Sequence, residues 1–237
     1  MSQFWEENLT EGYYDIITIN GIKKNRGLRA TWHNFTNLKV KDNISSSGLH
    51  LDYACGPGTL IGNYLDIESI GIDISRKQIE FASKKYKDKG LFVEIDKFKF
   101  QNYEKQFKTV TILGLLEFLN EEDITLLLNN IYNLLDDGGE LILTTPNFKF
   151  GMNFLVNVQN IFGKYSYKET HISKFTKVKL SKLLENTKFA SYEINKYMNL
   201  SVFIGFINLK LATKVQFILD KYFGSYFGFM LIAKLRK

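Results

Sequence analysis

The chain has 237 residues, of which 45% are hydrophobic and 24% are charged, and its formal net charge is +6. This composition is typical of a globular protein, and the length allows one domain with a sizeable core. A single cysteine excludes an internal disulfide, and no cluster of residues in the sequence suggests a metal site. The N-terminus lacks the features of a signal peptide, and no apolar stretch reaches about 18 residues, so a cytoplasmic protein is expected.

The N-terminal part of the chain leads into a candidate nucleotide site. Residues 1–40 form an N-terminal cap with helical apolar spacing over 28–38, and a polar loop follows at 41–48. An apolar run then ends at Asp52, turns through a Gly-Pro-Gly loop and leads into a predicted helix over 57–65. Gly56 and Gly58 permit a tight turn and a close ligand, and Pro57 suits a first helical turn. Strand, loop and helix N-terminus form a nucleotide site in an open α/β sheet.

The type of nucleotide follows from the charge and the spacing of this loop. A dinucleotide fingerprint would need a third glycine at position 61, which is Ile61. Asp52 would repel a pyrophosphate but favours a cation such as S-adenosylmethionine (SAM), which carries a sulfonium and an ammonium. The stretch L-D-Y-A-C-G-P-G-T over 51–59 resembles the first motif of class I SAM-dependent methyltransferases.

The next two strands extend this site. A strand over 69–74 contains Asp73, whose carboxylate suits ribose hydroxyls, and Ser75 with Gln78 predicts a capping box that opens a helix to about residue 87. A third strand over 91–95 is followed by Asp96, Lys97 and Phe98. The resemblance implies that Asp96 accepts from the adenine amino group and that Phe98, or the backbone near it, lines the adenine.

The following segment repeats the strand–helix pattern. A fourth strand over 107–113 precedes Glu117, which matches the family pattern, and Phe118, which replaces the usual histidine. Asn120 is predicted to cap a helix that stops at 136–139, before a fifth strand over 140–144. The stretch L-L-D-D-G-G-E-L-I-L-T-T-P-N over 134–147 also resembles the family. The alternation predicts a parallel sheet. The resemblance implies an α/β, Rossmann-like doubly wound seven-stranded sheet, mostly parallel with an antiparallel last strand.

Two segments interrupt the predicted core of a single domain spanning 1–237. Residues 148–175 are a candidate lid with a short amphipathic helix near 152–162. Residues 198–224 separate the sixth strand (189–197) from the seventh (226–235) and carry Lys210, Lys214 and Lys221 on an amphipathic helix. This insertion either packs on the domain with solvated lysines, or contacts a membrane surface, an anionic substrate or a partner subunit.

The resemblance places the SAM-binding core at 49–147 and implies a set of site residues. His171 and Glu117 are the candidate catalytic residues, although His171 also has a structural interpretation as a residue that holds the lid. In the cap, Arg26 or Arg29 would bind the methionine carboxylate of the cofactor and Tyr13 or Tyr14 would cover it, unless these are ordinary surface arginines and core tyrosines. The other cofactor-binding candidates are Asp52, Ala54, Cys55, Gly56, Gly58, Asp73, Ile74, Gln78, Asp96, Lys97, Phe98, Leu113 and Gly114.

The expected activity is SAM-dependent methyl transfer to a small-molecule, glycan or lipid-linked acceptor, more often on oxygen. No Asn-Pro-Pro-Tyr-like motif follows the fourth strand, and no nucleic-acid partner or metal is expected. Two alternatives stay open: an NAD-dependent oxidoreductase of Rossmann type, and a non-catalytic SAM-binding module. The expected location is the cytoplasm, with peripheral membrane contact through 198–224 as the other option.

Overall fold

A computed structural model describes residues 6, 9–45, 47–149, 152, 171–223 and 226–237. The predicted lid over 148–175 lies mostly outside the described residues, and only Met152 of its predicted helix is described. Within the described ranges, no helix combines the length and the apolar character needed to cross a membrane.

One seven-stranded sheet forms the centre of the described part of the chain. In sequence order its strands are β1 (Leu49–Tyr53), β2 (Ser69–Asp73), β3 (Leu91–Glu94), β4 (Phe107–Leu113), β5 (Leu135–Pro146), β6 (Ser191–Tyr197) and β7 (Met230–Arg236). Their spatial order is β3-β2-β1-β4-β5-β7-β6, and β7 pairs antiparallel with both of its neighbours. The order reverses between β1 and β4, where open α/β sheets bind ligands. The predicted fold class is confirmed.

Helices cover both faces of this sheet. They are α1 (Tyr13–Lys23), α2 (Leu28–Lys41), α3 (Thr59–Tyr64), α4 (Arg76–Lys85), α5 (Glu121–Leu134), α6 (Lys177–Glu185) and α7 (Leu209–Phe223). Along β5, Leu141 and Leu143 join one hydrophobic cluster, whereas Ile142 joins a second cluster with residues of α2, α3 and α7. This alternation shows that the sheet is buried on both sides.

Several predicted boundaries hold, and others need correction. β4 matches its prediction, and the Asn120 side chain caps α5 by accepting from the Asp123 backbone N–H at 2.8 Å. α3 begins at Thr59 rather than Pro57, because Gly58 before it adopts a left-handed conformation with φ 71°. β5 begins directly after α5, and its pairing with β4 shifts register before Glu140.

The N-terminal cap is attached to the core by a buried carboxylate. Asp15 of α1 is fully buried, accepts from the Tyr86 hydroxyl at 2.5 Å and forms an ion pair with Lys85. Asn63 of α3 donates to the same carboxylate at 3.4 Å. These contacts hold α1 over the carboxyl ends of β1 and β2, where the candidate site lies.

Candidate active site

A cavity of about 610 Å³ lies at the carboxyl ends of β1, β2 and β4, between the sheet and the cap helices. Its volume is within the range of small-molecule sites. Thirteen of the predicted site residues line this cavity: Tyr14, Arg29, Asp52, Ala54, Cys55, Gly56, Asp73, Ile74, Gln78, Leu113, Gly114, Glu117 and His171. The cavity has two chemically different ends, which are described in turn.

The loop after β1 presents its backbone to the cavity. Ala54, Gly56 and Gly58 all adopt positive φ angles, of 62°, 52° and 71°. A Cβ atom on Gly56 would meet no protein atom within 4 Å, so the backbone there borders open space that a ligand can enter. A Cβ atom on Gly58 would lie 2.6 Å from the Phe92 ring. Gly58 therefore permits packing and is absent from the cavity lining, so its predicted contact with the cofactor stays a prediction.

Asp73 joins this loop to the end of β2. Its Oδ2 atom accepts from the Gly56 N–H and its Oδ1 atom accepts from the Ser75 N–H, both at 2.8 Å. Burial raises the pKa of Asp73, and these backbone donors oppose that rise. Because a carboxylate oxygen has two lone pairs, each oxygen can accept one further hydrogen bond from a ligand.

Asp52 is the second carboxylate at this end, and it rests on a buried polar chain. The Thr111 hydroxyl donates to Asp52 Oδ1 at 2.7 Å, and Thr111 Oγ1 lies 2.9 Å from Nε2 of the fully buried His50. Burial raises the pKa of Asp52 to about 7, the Thr111 hydrogen bond opposes the rise, and the charge of Asp73 adds to it. A cation in the cavity would relieve this cost by pairing with Asp52.

The residues present fit SAM at this end. Two buried carboxylates border the cavity, as a ligand with a sulfonium and an ammonium requires. The buried Thr59 Oγ1 also lines the cavity and has no hydrogen-bond partner among the described residues, so a polar ligand atom would satisfy it. Cys55 lines the site as a buried thiol whose pKa is raised well above its ordinary value by burial, so it stays protonated.

The N-terminal segment closes over this end through Gln78. Gln78 Oε1 accepts from the Gly12 N–H at 3.1 Å, and its Nε2 donates to the Thr10 carbonyl at 3.0 Å. The predicted capping box is therefore wrong, because Ser75 makes no side-chain cap and donates instead to Glu6 at 2.5 Å. The side chains of Ser75 and Gln78 bind residues of the N-terminal segment instead of capping the helix.

The cap helices α1 and α2 contribute a cluster of polar and aromatic side chains to the cavity, and the sequence analysis identified only some of its members. Arg29 Nη1 donates to the Tyr13 hydroxyl at 2.7 Å, and the Tyr14 ring packs edge-on against His33 with centroids 5.2 Å apart. Burial, with a smaller effect from Arg29, lowers the pKa of His33 to about 4, so its imidazole is neutral at pH 7. Sequence reasoning missed His33, although its i,i+4 spacing from Arg29 on α2 was a usable signal.

The other end of the cavity holds Glu117 and His171. The Glu117 carboxylate is 4% exposed and accepts from the Thr145 hydroxyl at 3.1 Å, and burial raises its pKa to about 7. Its backbone carbonyl accepts from the N–H groups of Ile172 and Ser173, at 2.8 and 3.0 Å, which places His171 beside it. Burial, with the nearby charge of Lys174, lowers the pKa of His171 below 6.5. Both side chains are therefore able to accept a proton near neutral pH.

The wall around this second end is apolar. Its large side chains come from α2, the turn at 116–118, the 200–206 turn, β7 and residue 152, namely Trp32, Phe118, Val202, Phe203, Met230 and Met152. Trp32 and Phe203 both pack on the buried Phe229, with ring centroids 6.3 and 6.0 Å away. Sequence reasoning missed most of this wall, because these residues lie far apart along the chain and form no motif.

Three predicted adenine-site residues are not brought to the cavity. Asp96 and Lys97 are exposed on a short turn after β3, where Lys97 pairs with Glu94 at 2.6 Å. The expectation that Phe98 or the backbone near it lines the adenine stays a prediction. The ring of Phe98 is buried in the main hydrophobic core, between Phe100 and Tyr103, because the chain turns inward after Lys97.

Comparisons with known proteins agree with this geometry. Residues 51–139 match the family described as a methyltransferase domain. The fold is shared with the plantazolicin methyltransferase in complex with SAH (TM-score 0.60, 18% identity, covering all of this chain and 93% of that one). It is also shared with magnesium protoporphyrin IX methyltransferase from Synechocystis PCC 6803 with bound SAH (TM-score 0.56, 16% identity, 96% and 97% covered). A SAM-dependent methyltransferase from Archaeoglobus fulgidus gives a TM-score of 0.58 at 18% identity, with 86% and 96% covered.

A search of curated proteins finds no match. The matched domain includes the glycine loop, Asp52, Asp73 and Glu117, and it decides against the NAD-dependent alternative. Residues 51–139 therefore match a methyltransferase domain, and the chain has the fold of SAM-dependent methyltransferases, with a site that fits S-adenosyl-L-methionine as the cofactor.

Proposed function

We propose that the protein transfers the methyl group of SAM to an apolar small-molecule acceptor, on an oxygen atom of that acceptor. The observation that carries this proposal is the division of one cavity into a carboxylate-lined end and an apolar end that holds two proton acceptors. The first end suits a cationic nucleoside, and the second suits a molecule that is largely hydrophobic but has a reactive hydroxyl.

At the cofactor end, each residue has a role that its contacts support. Asp73 would accept from the ribose hydroxyls with the lone pairs that its two backbone donors leave free. Asp52 would face the ammonium group, and Arg29 would face the methionine carboxylate. The Gly56 backbone and the Thr59 hydroxyl would border the methionine part, while Ile74 and Gln78 would border the adenosine. When bound, SAM supplies an electrophilic methyl group on a sulfonium.

At the acceptor end, the chain aligns the substrate and takes up a proton. The acceptor hydroxyl would lose its proton to the Glu117 carboxylate or the His171 imidazole as its oxygen bonds to the methyl carbon, while the bond from that carbon to sulfur breaks and leaves S-adenosylhomocysteine. A base within reach contributes about 10²–10⁴-fold to such a reaction. The aromatic wall would hold the rest of the acceptor and exclude water, so that the reacting atoms stay aligned.

The composition of this wall favours one acceptor class over the others. A glycan needs many hydrogen-bonding groups, whereas the lining of the cavity as a whole is mainly apolar. A hydrophobic ring or a lipid-like molecule would bury its apolar surface there, at about 25 cal/mol per Å² removed from water. Magnesium protoporphyrin IX methyltransferase is one fold relative whose name specifies a small molecule.

Two measurements test the proposal. Calorimetry should show binding of SAM and of its demethylated product, with no heat from NAD. Incubation with methyl-labelled SAM and separate aqueous and organic-solvent extracts of metabolites should place the label in a solvent-extractable product, and alkaline hydrolysis should distinguish an ester from an ether. Label that enters only water-soluble glycans, or enters nothing although SAM binds, would overturn the assigned acceptor class.

A further inference from the structure

The most exposed apolar side chains of the described residues are concentrated in one region. Ten of sixteen exposed large hydrophobic side chains lie between residues 200 and 227. We call six of them the outer patch: Phe206, Ile207, Phe217, Ile218, Tyr222 and Tyr226, each between 52% and 87% exposed. A concentration of this kind on a globular protein marks a binding surface rather than ordinary surface composition.

The outer face of α7 has the pattern of an interfacial helix. Leu211, Ile218 and Tyr222 follow each other at i, i+7 and i+11, so they form one exposed apolar stripe. Lys210, Lys214 and Lys221 are also exposed and repeat at i, i+4 and i+11, so they form a second stripe directly beside it. An apolar stripe flanked by lysines is the pattern of helices that lie in a membrane surface.

Contacts with the cap fix the position of this region. Its apolar face is therefore exposed as part of the fold. The Asn25 side chain accepts from the Lys210 N–H at 2.8 Å and donates to Asn208 at 3.1 Å, which fixes the start of α7 to the cap. A Cβ atom on Gly205 would lie 2.0 Å from the Thr31 hydroxyl oxygen, which shows how closely the 200–206 turn packs on α2. The inner side of α7 is buried through Leu209, Ala212 and Gln216.

The outer patch adjoins the apolar end of the cavity. Phe203 is 40% exposed, lies in the same 200–227 region as the outer patch and also lines the cavity. Phe227 is partly exposed next to Tyr226, and its ring contacts Phe229 with centroids 5.1 Å apart. Phe229 in turn stacks on Trp32 of the cavity wall. A continuous aromatic cluster therefore links the outside of the protein to the proposed acceptor site.

We propose that the outer patch docks onto an anionic lipid membrane, from which the apolar acceptor enters the cavity. The second clause rests on the proposed function, but the docking itself does not. Residues 198–227 contain three lysines and one acid, Asp220, which accepts from Gln216 at 2.7 Å. A second copy of this chain would supply the same positive charge, whereas an anionic bilayer supplies negative headgroups for the lysines and acyl chains for the aromatic residues.

Vesicle sedimentation tests the docking. The full chain should sediment with phosphatidylcholine vesicles that contain phosphatidylglycerol, bind vesicles of pure phosphatidylcholine much more weakly, and dissociate as salt is raised. Each lysine near an anionic surface contributes about five-fold to binding, so Lys210→Gln, Lys214→Gln and Lys221→Gln together should weaken binding about a hundred-fold. Phe217→Ser with Ile218→Ser should also abolish sedimentation.

Matched variants elsewhere on the surface serve as controls. Lys177→Gln, Lys182→Gln and Lys188→Gln remove the same charge from other exposed positions, and Leu126→Ser with Val178→Ser removes exposed apolar groups from α5 and α6. These should sediment as the unaltered chain does. Equal loss in control and patch variants, or no sedimentation of the unaltered chain, would overturn the proposal. So would a dimer that the patch substitutions dissociate, because a second copy would then cover the surface.

SAM affinity by calorimetry separates this proposal from the proposed function. The patch variants should bind SAM as the unaltered chain does, because none of the substituted residues lines the cavity. Lost vesicle binding with intact SAM binding assigns the effect to the surface. SAM binding without any vesicle binding would reject the docking and leave the methyltransferase assignment in place.

Discussion

The two ends of the cavity are built in different ways. The cofactor end comes mainly from a short stretch of chain, 52–78, in which the Gly56 and Ser75 backbones bind directly to the Asp73 side chain. The acceptor end is assembled from α2, residues 116–118, residue 171, the 200–206 turn and β7. The first end is specified by backbone geometry, so it allows few residue types. The second depends on packing, so its shape can change while the fold stays the same.

The two ends also differ in their charges. Asp52 and Asp73 lie together, and the charge of Asp73 adds to the raised pKa of Asp52, which favours a cationic ligand. The acceptor end has one carboxylate, Glu117, with the neutral imidazole of His171. Substitutions at the cofactor end should therefore change SAM affinity, and substitutions at the acceptor end should change the rate. A substitution at the acceptor end that changes SAM affinity would show that the two ends are not independent.

The largest effect is expected at Glu117. Glu117→Gln keeps an oxygen that can accept from Thr145 but cannot take up a proton, so kcat should fall by about 10²–10⁴-fold. SAM affinity should stay unchanged, because the substitution is at the other end of the cavity. The measurement is labelled methyl transfer to the acceptor fraction, together with calorimetry. A ten-fold loss of SAM affinity would show that the two ends are not separate.

The pH profile decides which side chain takes the proton. A base must be unprotonated, so the rate should rise with pH through about 7 if Glu117 is the base. If His171 is the base, the rise should occur below pH 6.5, because burial lowers its pKa. His171→Gln should leave the profile unchanged in the first case and remove its acidic limb in the second. A rate independent of pH between 5 and 8 would reject Glu117 as the base.

A smaller effect is expected at Asp73. Asp73→Ala removes two acceptors from the cavity and should weaken SAM binding about ten-fold or more, since hydrogen bonds to a charged group contribute ~1.5–3 kcal/mol. Asp96→Ala is the matched control, because Asp96 is exposed and outside the cavity lining. The control should bind SAM normally. If Asp96→Ala weakens binding instead, the adenine contact predicted from the sequence is correct and the described site is incomplete.

The same division explains what could be predicted from the sequence. Asp52, Gly56 and Asp73 could be identified because their spacing along a strand–loop–helix unit fixes their positions. Gln78 was assigned to the wrong local contact, since the capping-box pattern cannot reveal that Thr10 and Gly12, more than sixty residues away, bind its side chain. Trp32 and Phe203 could not be identified, because ordinary apolar residues reach the cavity only through tertiary packing.

At Asp52, the effect depends on pH. SAM favours the ionised carboxylate, so below pH 7 a proton must leave Asp52 before the ligand can pair with it. SAM affinity should fall up to about ten-fold between pH 7 and pH 6, and it should be constant above pH 8. Asp52→Asn should bind SAM weakly with no such pH dependence. Calorimetry in buffers of different ionisation enthalpy should detect proton release at pH 6.5 in the unaltered chain alone.

The stability of the free protein should change with the opposite sign. Because the folded-state pKa of Asp52 is raised from 3.8 to about 7, the folded state keeps a proton that the unfolded chain has lost in this interval. The favourable contribution is present below pH 3.8 and is lost as pH rises to 7. Asp52→Asn removes this dependence, so its Tm at pH 8 should exceed that of the unaltered chain. A change of ~1 kcal/mol corresponds to about 2–4 °C.

The smallest effect is expected at His50, which is connected to Asp52 through Thr111, and it tests what sets the pKa of Asp52. Thr111 Oγ1 lies 2.7 Å from Asp52 Oδ1 and 3.5 Å from the Leu51 carbonyl oxygen, so its hydroxyl proton has two possible acceptors. When His50 Nε2 donates to Thr111, the imidazole fills one lone pair and favours the orientation toward Asp52. His50→Leu should therefore raise the pKa of Asp52 slightly and move the pH midpoint of SAM binding upward, with a two- to three-fold loss at pH 7. The His50→Leu substitution leaves no buried group without a hydrogen bond, because Ser69 still donates to the Ile67 carbonyl and Thr111 still donates to Asp52.

Thr111→Val should move the pH midpoint of SAM binding further, since it removes the hydroxyl that donates to Asp52. An unchanged midpoint in both variants would show that burial and Asp73 alone set the pKa of Asp52.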